Sequence, residues 1–474
     1  MANGAGCAGW CNNCLAPHNR YTGFCYTPHN LFRPNAGKKY ANLAPQITAV
    51  GIQQLYSIFL QYPSVQTDTR KLTPGDIFFA LKGPSFNGNL FALQALQAGA
   101  AYAVVDEDVD NGNQRLILVN DVLATLQQLA KYHRQQFAIP FIGITGSNGK
   151  TTTKELVSTV LATHYNTYTT QGNLNNHIGI PLTLLRVGLD AQMAVIEMGA
   201  NHQKEIEGYC KYALPTHGII TNTGKAHLEG FGGIEGVRKG KGELYDFIRG
   251  TGGTVFAFDD YDYLHSMSAG ITDIVWYGTL KGTVTGHVKA SAPFLEVGIT
   301  SGAGFSAIKT QLVGDYNLPN VLCAIAVGKH FNVPDEKIKA AIEQYVPSNS
   351  RSQLLEKGTN KIILDAYNAN PTSMKAAIEN FAKLEAPNKV LLLGGMMELG
   401  EDSLHEHQSI INLIESFAWT AVVLVGGDFK KLAHPFIYFD TSTEAANWLA
   451  SQHFEHTSLL VKGSRSMQME KVLG

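Results

Sequence analysis

Charged residues are scarce in this sequence, and it has no long apolar run. Charged side chains make up 16% of the 474 residues, and the formal net charge is −2. This balance gives no electrostatic basis for binding nucleic acid or an anionic membrane. A membrane-spanning helix needs roughly 18 apolar residues in a row, and no run approaches that length. Because the N-terminus also lacks the layout of a secretion signal, we expect a cytoplasmic protein. We also expect a monomer that acts on small-molecule substrates.

Cysteine is almost absent after the first 25 residues. The early segment holds four of the six cysteines and one histidine, namely Cys7, Cys11, Cys14, Cys25 and His18. The first three have the spacing of an iron–sulfur ligand set, and the other two could serve as zinc ligands. The same segment lacks periodicity and is rich in Asn, Gly and Pro. We therefore favour a disordered extension over residues 1–43 rather than a metal site.

A nucleotide-binding loop is the strongest local signal. Residues 141–145 predict a buried strand, and residues 154–161 have helical spacing. Between them, glycines allow a phosphate to approach the backbone, Lys150 supplies positive charge, and Thr151 can reach Mg²⁺. The strict phosphate-loop pattern has Gly where this chain has Ile144, so this loop is a variant. We expect the nucleotide to contact Thr145, Gly146, Ser147, Asn148, Gly149, Lys150, Thr151 and Thr152.

The chain is long enough for about three domains, and strand–helix alternation predicts an α/β class. We place the domains at residues 44–138, 139–346 and 347–474. The predicted helices of the first domain are 47–62, 90–100 and 121–136. The predicted strands along the chain are 101–106, 115–119, 141–145, 191–198, 217–222, 254–258, 361–365, 390–395, 420–426 and 459–462.

Polar side chains follow several central strands. Glu197 ends one strand, Asn222 and His227 follow the next, and residues 239–245 are expected to open a helix that carries Lys241. Ligands of parallel sheets collect beyond the carboxyl ends of the strands. Each side chain alone could be a solvated polar group. Together, beside a phosphate loop, they predict a Mg²⁺ cluster of oxygen and imidazole ligands.

Several motifs resemble the Mur ligases, and the loop itself also resembles their folyl-polyglutamate relatives. The matching segments are 68–70, 83–91, 145–151, 172–185, 195–201, 226–232, 365–371, 397–400 with Ser403 and His407, and 461–466. Three positions depart from the family pattern. Asn87 and Asn89 stand where Asp and His are usual, and Gly395 stands where Asp is common.

The resemblance implies a fold of three α/β domains: a uridine-nucleotide-binding domain, a central ATPase domain and a Rossmann-like domain. It also implies ATP-dependent joining of D-alanyl-D-alanine to UDP-N-acetylmuramoyl-tripeptide through an acyl phosphate. The implied catalytic residues are Lys150, Glu197, His227 and Lys241. Two Mg²⁺ ions are implied on Thr151, Glu197, His227 and Lys241, with Lys241 carbamylated.

The remaining implied contacts fall on three substrates. ATP is expected to touch Asn317, Asn320, Arg351 and Asp365. The UDP-sugar is expected at Asp68, Thr69, Arg70, Asn87 and Asn89. The incoming amine is expected near Tyr367, Asn368 and Asn370.

Three alternatives remain. A Mur ligase adding the third peptide residue would share the first domain, but its Asp-Asn-Pro-Arg-like motif is not found here. A folyl-polyglutamate synthetase would share the phosphate loop but lack the uridine-type first domain. A non-enzymatic nucleotide switch would need no set of Glu197, His227 and Lys241.

Overall fold

The computed structural model describes residues 51–110, 112–348 and 351–474. The cysteine-rich segment therefore lies outside the described residues. The described part contains a four-stranded, a nine-stranded and a six-stranded sheet, together with one short hairpin. We name the regions that carry the three large sheets, in chain order, the N-terminal, central and C-terminal regions.

The N-terminal region is a parallel sheet in the order β1-β2-β5-β6. Its strands are β1 (Val65–Gln66), β2 (Ile77–Phe79), β3 (Lys82–Gly83), β4 (Phe86–Asn87), β5 (Tyr102–Val105) and β6 (Leu116–Leu118), of which β3 and β4 form the hairpin. Its helices are α1 (Ile52–Gln61), α2 (Ala92–Gln97) and α3 (Val122–Arg134). The side chain of Asp121 caps α3 by accepting the Ala124 N–H at 2.8 Å.

Helix α3 joins the N-terminal region to the central region. Arg134, in its last turn, donates to the carbonyls of Ala213 and Leu214 at 3.0 and 2.9 Å. His133 bonds through one ring nitrogen to the Tyr56 hydroxyl and through the other to the Val187 carbonyl. Buried side chains of α3 thus place the first sheet against the central one.

The central sheet has the order β15-β14-β13-β12-β11-β10-β7-β9-β8. Its strands are β7 (Phe141–Thr145), β8 (Thr167–Thr169), β9 (Met193–Glu197), β10 (His217–Ile220), β11 (Thr254–Phe258), β12 (Asp273–Gly278), β13 (Val284–Ala290), β14 (Glu296–Ser301) and β15 (Ala307–Lys309). Its helices are α4 (Lys150–Ala162), α5 (Gly179–Leu185), α6 (Glu205–Ala213), α7 (Leu228–Phe231), α8 (Ile234–Thr251), α9 (Asp262–Met267), α10 (Leu318–His330) and α11 (Asp335–Gln344).

Strand β7 lies between β9 and β10, and it is parallel to both. After β7 the chain forms β8 and β9 on one side of β7 and then crosses to β10 on the other side, which makes the carboxyl end of β7 a switch point of the sheet. Open parallel sheets bind ligands at such crevices. The phosphate loop begins at this position, directly after Thr145.

The C-terminal sheet has the order β16-β17-β21-β18-β19-β20, with only β16 antiparallel to its neighbour. Its strands are β16 (Gln353–Lys357), β17 (Asn360–Asp365), β18 (Asn388–Gly394), β19 (Ala421–Val425), β20 (Ile437–Phe439) and β21 (Thr457–Lys462). Its helices are α12 (Pro371–Ala382), α13 (Ser403–Glu415) and α14 (Ser442–Ser451). Over the described residues, no helix is both long and apolar enough to cross a membrane.

The predicted α/β fold of three domains is confirmed, and the strands predicted from apolar runs are present to within a few residues at each end. One helix start was wrong. Residues 239–245 do not open a helix, because α8 already begins at Ile234. Glycine is unfavourable inside a helix, but two of the glycines of α8 fit closely against Phe231. A Cβ at Gly240 would lie 2.4 Å from the Phe231 ring, and one at Gly236 would lie 1.8 Å from its carbonyl oxygen.

Candidate active site

The phosphate loop requires glycine at two positions. Gly146 and Gly149 have φ of 141° and 78°, in the region that side chains disfavour. A Cβ at Gly146 would lie 2.0 Å from the Thr221 hydroxyl. The neighbouring loop after β10 braces the turn, since Oδ1 of Asn222 accepts the Asn148 N–H at 3.0 Å. The Ser147 hydroxyl donates to the Gly224 carbonyl at 2.8 Å.

Lys150 is folded back over this loop at the start of α4. Its Nζ donates to the carbonyls of Gly146 and Ser147 at 2.7 and 3.1 Å. Burial lowers the pKa of Lys150 to about 8; Glu197 opposes the shift, and the charge of Arg351 adds to it. A polyphosphate entering the loop would favour the ammonium form and replace the carbonyl partners.

Thr151 and Glu197 form a hydroxyl–carboxylate pair beneath the loop. The Thr151 hydroxyl donates to Glu197 at 2.9 Å, and the Asn175 side chain donates to its second oxygen at 2.8 Å. Glu197 ends β9 and is only 1% exposed. Mg²⁺ in nucleotide sites is usually held by one or two such groups together with substrate phosphates. The pair therefore fits Mg²⁺, although the described residues contain no cluster of three His, Cys, Asp or Glu side chains.

Lys241 lies in the middle of α8 and is fully buried. Its Nζ donates to the Ala200 carbonyl at 2.8 Å and lies 4.8 Å from the centre of the Phe231 ring. Burial lowers the pKa of Lys241 well below the usual lysine range, and the charge of Lys150 lowers it further. The carboxylates of Glu205 and Glu243 oppose this shift.

His227 follows β10, as the sequence predicted. Its backbone is left-handed, with φ of 54°. Its Nδ1 forms a very short contact with the carboxylate of Glu398, which comes from the C-terminal region.

The C-terminal region contributes Arg351 and Asp365, the two residues of this region that were predicted to contact ATP. The Arg351 guanidinium lies 3.5 Å above the centre of the Tyr367 ring. Its Nε is buried and has no hydrogen-bond partner in the described structure. Asp365, at the end of β17, pairs with buried Lys462 and accepts the Ser352 N–H at 3.2 Å. An arginine with an unused buried N–H is suited to an anionic ligand.

All three residues predicted on the amine side make specific contacts, and that of Tyr367 is the stacking with Arg351. Asn370 caps α12 and pairs with Asn148 of the phosphate loop; its Nδ2 donates to the Asn148 Oδ1 at 2.7 Å. The carbonyl of Asn368 accepts Lys462 Nζ at 3.4 Å.

Asn317 and Asn320 are buried and connected to each other. Nδ2 of Asn320 donates to Oδ1 of Asn317 at 2.9 Å, and the Thr153 hydroxyl donates to Asn320 at 3.0 Å. A Cβ at Gly149 would lie 2.7 Å from the same asparagine oxygen. Both residues therefore brace the start of α4 against α10, next to the nucleotide loop.

The predicted uridine-side residues lie on the N-terminal region. Asp68, which follows β1, accepts two bonds from the Arg70 guanidinium at 2.9 and 2.8 Å across the short turn that begins at Thr69. Hydrogen bonds from Arg70 lower the pKa of Asp68 to about 2. Asn87 and Asn89 bond to each other and to the carboxylates that follow β5. Nδ2 of Asn89 donates to Asp106 at 2.8 Å, so this side chain is fixed within the protein.

Sequence reasoning did not single out three side chains that complete the site, namely Asn175, Glu398 and Lys462. Asn175 contacts Glu197, Glu398 contacts His227, and Lys462 pairs with Asp365. All three lie inside matched motifs. A polar run alone does not show which of its side chains points toward a partner distant in sequence.

Comparison with known families assigns three successive segments of the chain. Residues 61–134 match the Mur ligase family catalytic domain, residues 144–328 match the Mur ligase middle domain, and residues 350–465 match the Mur ligase glutamate ligase domain. These ranges contain the phosphate loop, Glu197, His227, Lys241 and Arg351.

Individual relatives agree. The UDP-N-acetylmuramoyl-tripeptide–D-alanyl-D-alanine ligase of Bacillus subtilis is 33% identical over 424 residues, which cover 86% of this chain and 92% of that protein. The MurF crystal structure from Acinetobacter baumannii superposes with a TM-score of 0.79 at 32% identity, covering 86% and 92% of the two chains. MurF from Thermotoga maritima, solved with ADP, gives a TM-score of 0.79 at 25% identity, covering 87% and 97%.

Proposed function

This chain belongs to the Mur ligase family, and from that premise we propose that it joins D-alanyl-D-alanine to UDP-N-acetylmuramoyl-tripeptide at the expense of ATP. The observation that carries the proposal is the crevice at the carboxyl end of β7. It combines Lys150, the pair of Thr151 and Glu197, and Arg351 from the C-terminal region, and relatives that match most of the chain bear this activity in their names.

Amide formation from a carboxylate and an amine needs an activated acyl group. The tripeptide carboxylate attacks the γ-phosphorus of ATP, ADP leaves, and an acyl phosphate forms. The amine of D-alanyl-D-alanine then attacks the acyl carbon, the C–O bond to phosphate breaks, and one amine proton is released. The enzyme's contribution to phosphoryl transfer is positioning and charge stabilisation.

Lys150 and Arg351 supply that charge stabilisation. Lys150 exchanges its two loop carbonyls for the β- and γ-phosphates, where its ammonium form is favoured. The guanidinium of Arg351, held on the Tyr367 ring, directs its unpaired Nε–H toward the same anion. Because the two cations come from different regions, both act only when the C-terminal region lies against the central one.

Thr151 and Glu197 would hold a first Mg²⁺ together with phosphate oxygens, and His227 with carbamylated Lys241 would hold a second. The ions supply neutralisation of the phosphate and carboxylate charges when they are bound.

Lys241 has the environment that carbamylation requires. Only a neutral amine adds to carbon dioxide, forming the N–C bond with release of a proton. Its burial and the charge of Lys150 both favour the neutral amine. The resulting carbamate is an anion with two oxygens, and the positive charge of Lys150 would stabilise it.

The flanking regions receive the two substrates that are joined. The UDP-sugar lies at the N-terminal region by Asp68, Thr69 and Arg70, and the fixed amides of Asn87 and Asn89 shape that surface. The amine enters from the C-terminal region near Tyr367 and Asn368. We further propose that the enzyme acts as a cytoplasmic monomer, where nucleotide-linked precursors and ATP are both available.

Phosphate release tests this proposal. The full-length protein is incubated with ATP, Mg²⁺ and UDP-N-acetylmuramoyl-tripeptide, and D-alanyl-D-alanine is added or omitted. Release that needs both substrates is the expected result. If phosphate release does not depend on the dipeptide, D-alanyl-D-alanine is not the amine substrate, and other amines would have to be screened.

A further inference from the structure

The segment that follows β10 is held by the C-terminal region. The backbone N–H of Lys225 donates to the Thr372 hydroxyl at 3.0 Å. The Lys225 ammonium donates to Glu406 at 2.6 Å, and that carboxylate is buried within the C-terminal region. These contacts lie two residues before His227. Docking of the C-terminal region therefore fixes the backbone that leads into His227.

Glu398 then contacts this segment through two different groups. Its carboxylate binds Nδ1 of His227, and its backbone carbonyl accepts the Glu229 N–H at 3.3 Å. Gly400 packs on Glu229, since a Cβ there would lie 3.3 Å from the Glu229 Cβ. The turn at Glu398 thus packs directly against the turn at His227.

Both contacting residues have strained backbones. His227 has φ of 54° and Glu398 has φ of 61°, and neither is glycine. Left-handed conformations of ordinary residues are retained where the surroundings impose them, often at functional sites. At this contact two such residues, from different regions, face each other.

We propose that Glu398 is a positioning residue that fixes the ring orientation and tautomer of His227 when the C-terminal region docks. A carboxylate on Nδ1 keeps the proton on that nitrogen, so Nε2 presents its lone pair on the opposite side of the ring. Second partners of this kind commonly orient metal-binding histidines. The proposal rests on the proposed function only in treating His227 as a metal ligand.

This arrangement couples two events. When the C-terminal region is undocked, His227 has neither the Glu398 carboxylate nor the Lys225 anchor, and its ring is free to rotate. When the region docks with Arg351, the same movement orients His227. Docking thus makes the Arg351 cation and the oriented ring of His227 available to the substrates at the same time.

Binding of Mn²⁺ tests the proposal without any turnover. Unbound Mn²⁺ is measured by electron paramagnetic resonance in the full-length protein with a non-hydrolysable ATP analogue. The variants are Glu398→Ala, Glu398→Asp and Glu398→Gln, with Glu401→Gln as the matched control on an exposed neighbour. Thermal unfolding of each variant confirms that it is folded.

We expect Glu398→Ala to weaken Mn²⁺ binding about 10- to 100-fold at the second of the two proposed ion sites, the usual effect of losing an outer partner of a metal-binding histidine, and to leave the ion at Thr151 and Glu197 bound as before. Glu398→Asp should behave like Glu398→Ala, because its carboxylate ends one methylene short of the ring. Glu398→Gln should recover most of the affinity, because its carbonyl oxygen still accepts the Nδ1 proton. Glu401→Gln should match the unmodified protein.

Equal Mn²⁺ affinity in Glu398→Ala and the unmodified protein would overturn the proposal. Full affinity in Glu398→Asp would also overturn it, since charge alone would then explain the effect. Mn²⁺ binding needs neither peptide substrate. The Mn²⁺ result can therefore be interpreted even if phosphate release turns out not to depend on the dipeptide.

Discussion

Asn148 of the phosphate loop and Asn370 of the C-terminal region exchange amide hydrogen bonds. Nδ2 of Asn370 donates to Oδ1 of Asn148 at 2.7 Å, and Nδ2 of Asn148 donates in return at 3.4 Å. Oδ1 of Asn370 also accepts the Ser373 N–H at 2.9 Å as the cap of α12. The helix cap of one region is therefore in direct contact with the nucleotide loop of another.

Substituting Asn370 separates these two roles. In Asn370→Asp the side chain still caps α12 but can no longer donate to Asn148. We expect its stability to be nearly unchanged and kcat/KM for ATP to fall about tenfold, which corresponds to about 1.4 kcal/mol of lost interaction. Asn370→Ala removes the cap as well and should lose about 1 kcal/mol of unfolding free energy. Steady-state kinetics and denaturant unfolding measure both quantities; equal kinetics in Asn370→Asp and the unmodified enzyme would show that the pair is incidental.

Lys150 should take up a proton when nucleotide binds. Its pKa is about 8 in the nucleotide-free protein because of burial. At about pH 8.5 more than half of these amines are neutral, and the phosphates favour the ammonium form. Calorimetric titration with ADP in buffers of different ionisation enthalpy should therefore report net proton uptake that declines below about pH 7. Lys150→Met should abolish both this uptake and turnover. Uptake that persists in Lys150→Met would assign it to another group.

Lys241 should carry a carbamate. Protein equilibrated with ¹³C-bicarbonate is expected to show one carbamate carbon resonance that is absent from Lys241→Ala. Lys241→Ala should lose at least about 100-fold in kcat, in the range for removing one electrostatic stabiliser. Short-chain carboxylic acids should restore part of that activity. A Lys241→Ala enzyme that no carboxylic acid rescues, together with an unlabelled wild-type protein, would contradict the modification.

Gly395 should not accept a side chain. A Cβ there would lie 2.6 Å from the Gly427 Cα, so the backbones of two loops would have to separate. We expect Gly395→Ala to lose about 1–3 kcal/mol of unfolding free energy through overpacking. Gly208→Ala is the matched control. It lies within α6 with nothing within 4 Å of the added Cβ, and it should gain up to about 1 kcal/mol. An aspartate at this position, which the family resemblance led us to expect, would therefore require a different loop around Gly427.

Much of the fold follows from the sequence because buried parallel strands are continuous apolar runs. Residues 141–145 and 254–258 were predicted with the bounds that the structure has. The antiparallel strands β14 and β15 were not predicted, since short strands with partly exposed faces lack that signal.

Individual residues of the candidate site could be proposed from the sequence, but the contacts between them could not. Lys150, Glu197 and His227 were identifiable from motifs near strand ends. The partners Asn175 and Glu398 were not, because each depends on contacts between elements far apart in the chain. The early start of α8 was missed for a similar reason, since the fit of its glycines to Phe231 is visible only in three dimensions.

In the proposed reaction ATP activates the tripeptide carboxylate as an acyl phosphate. This step can be tested with UDP-N-acetylmuramoyl-tripeptide in which both oxygens of the reacting carboxylate are ¹⁸O. The products formed with ATP and D-alanyl-D-alanine are analysed by mass spectrometry. We expect one ¹⁸O in each inorganic phosphate released and one ¹⁸O retained in the new amide. Phosphate without ¹⁸O, alongside amide formation, would contradict this step.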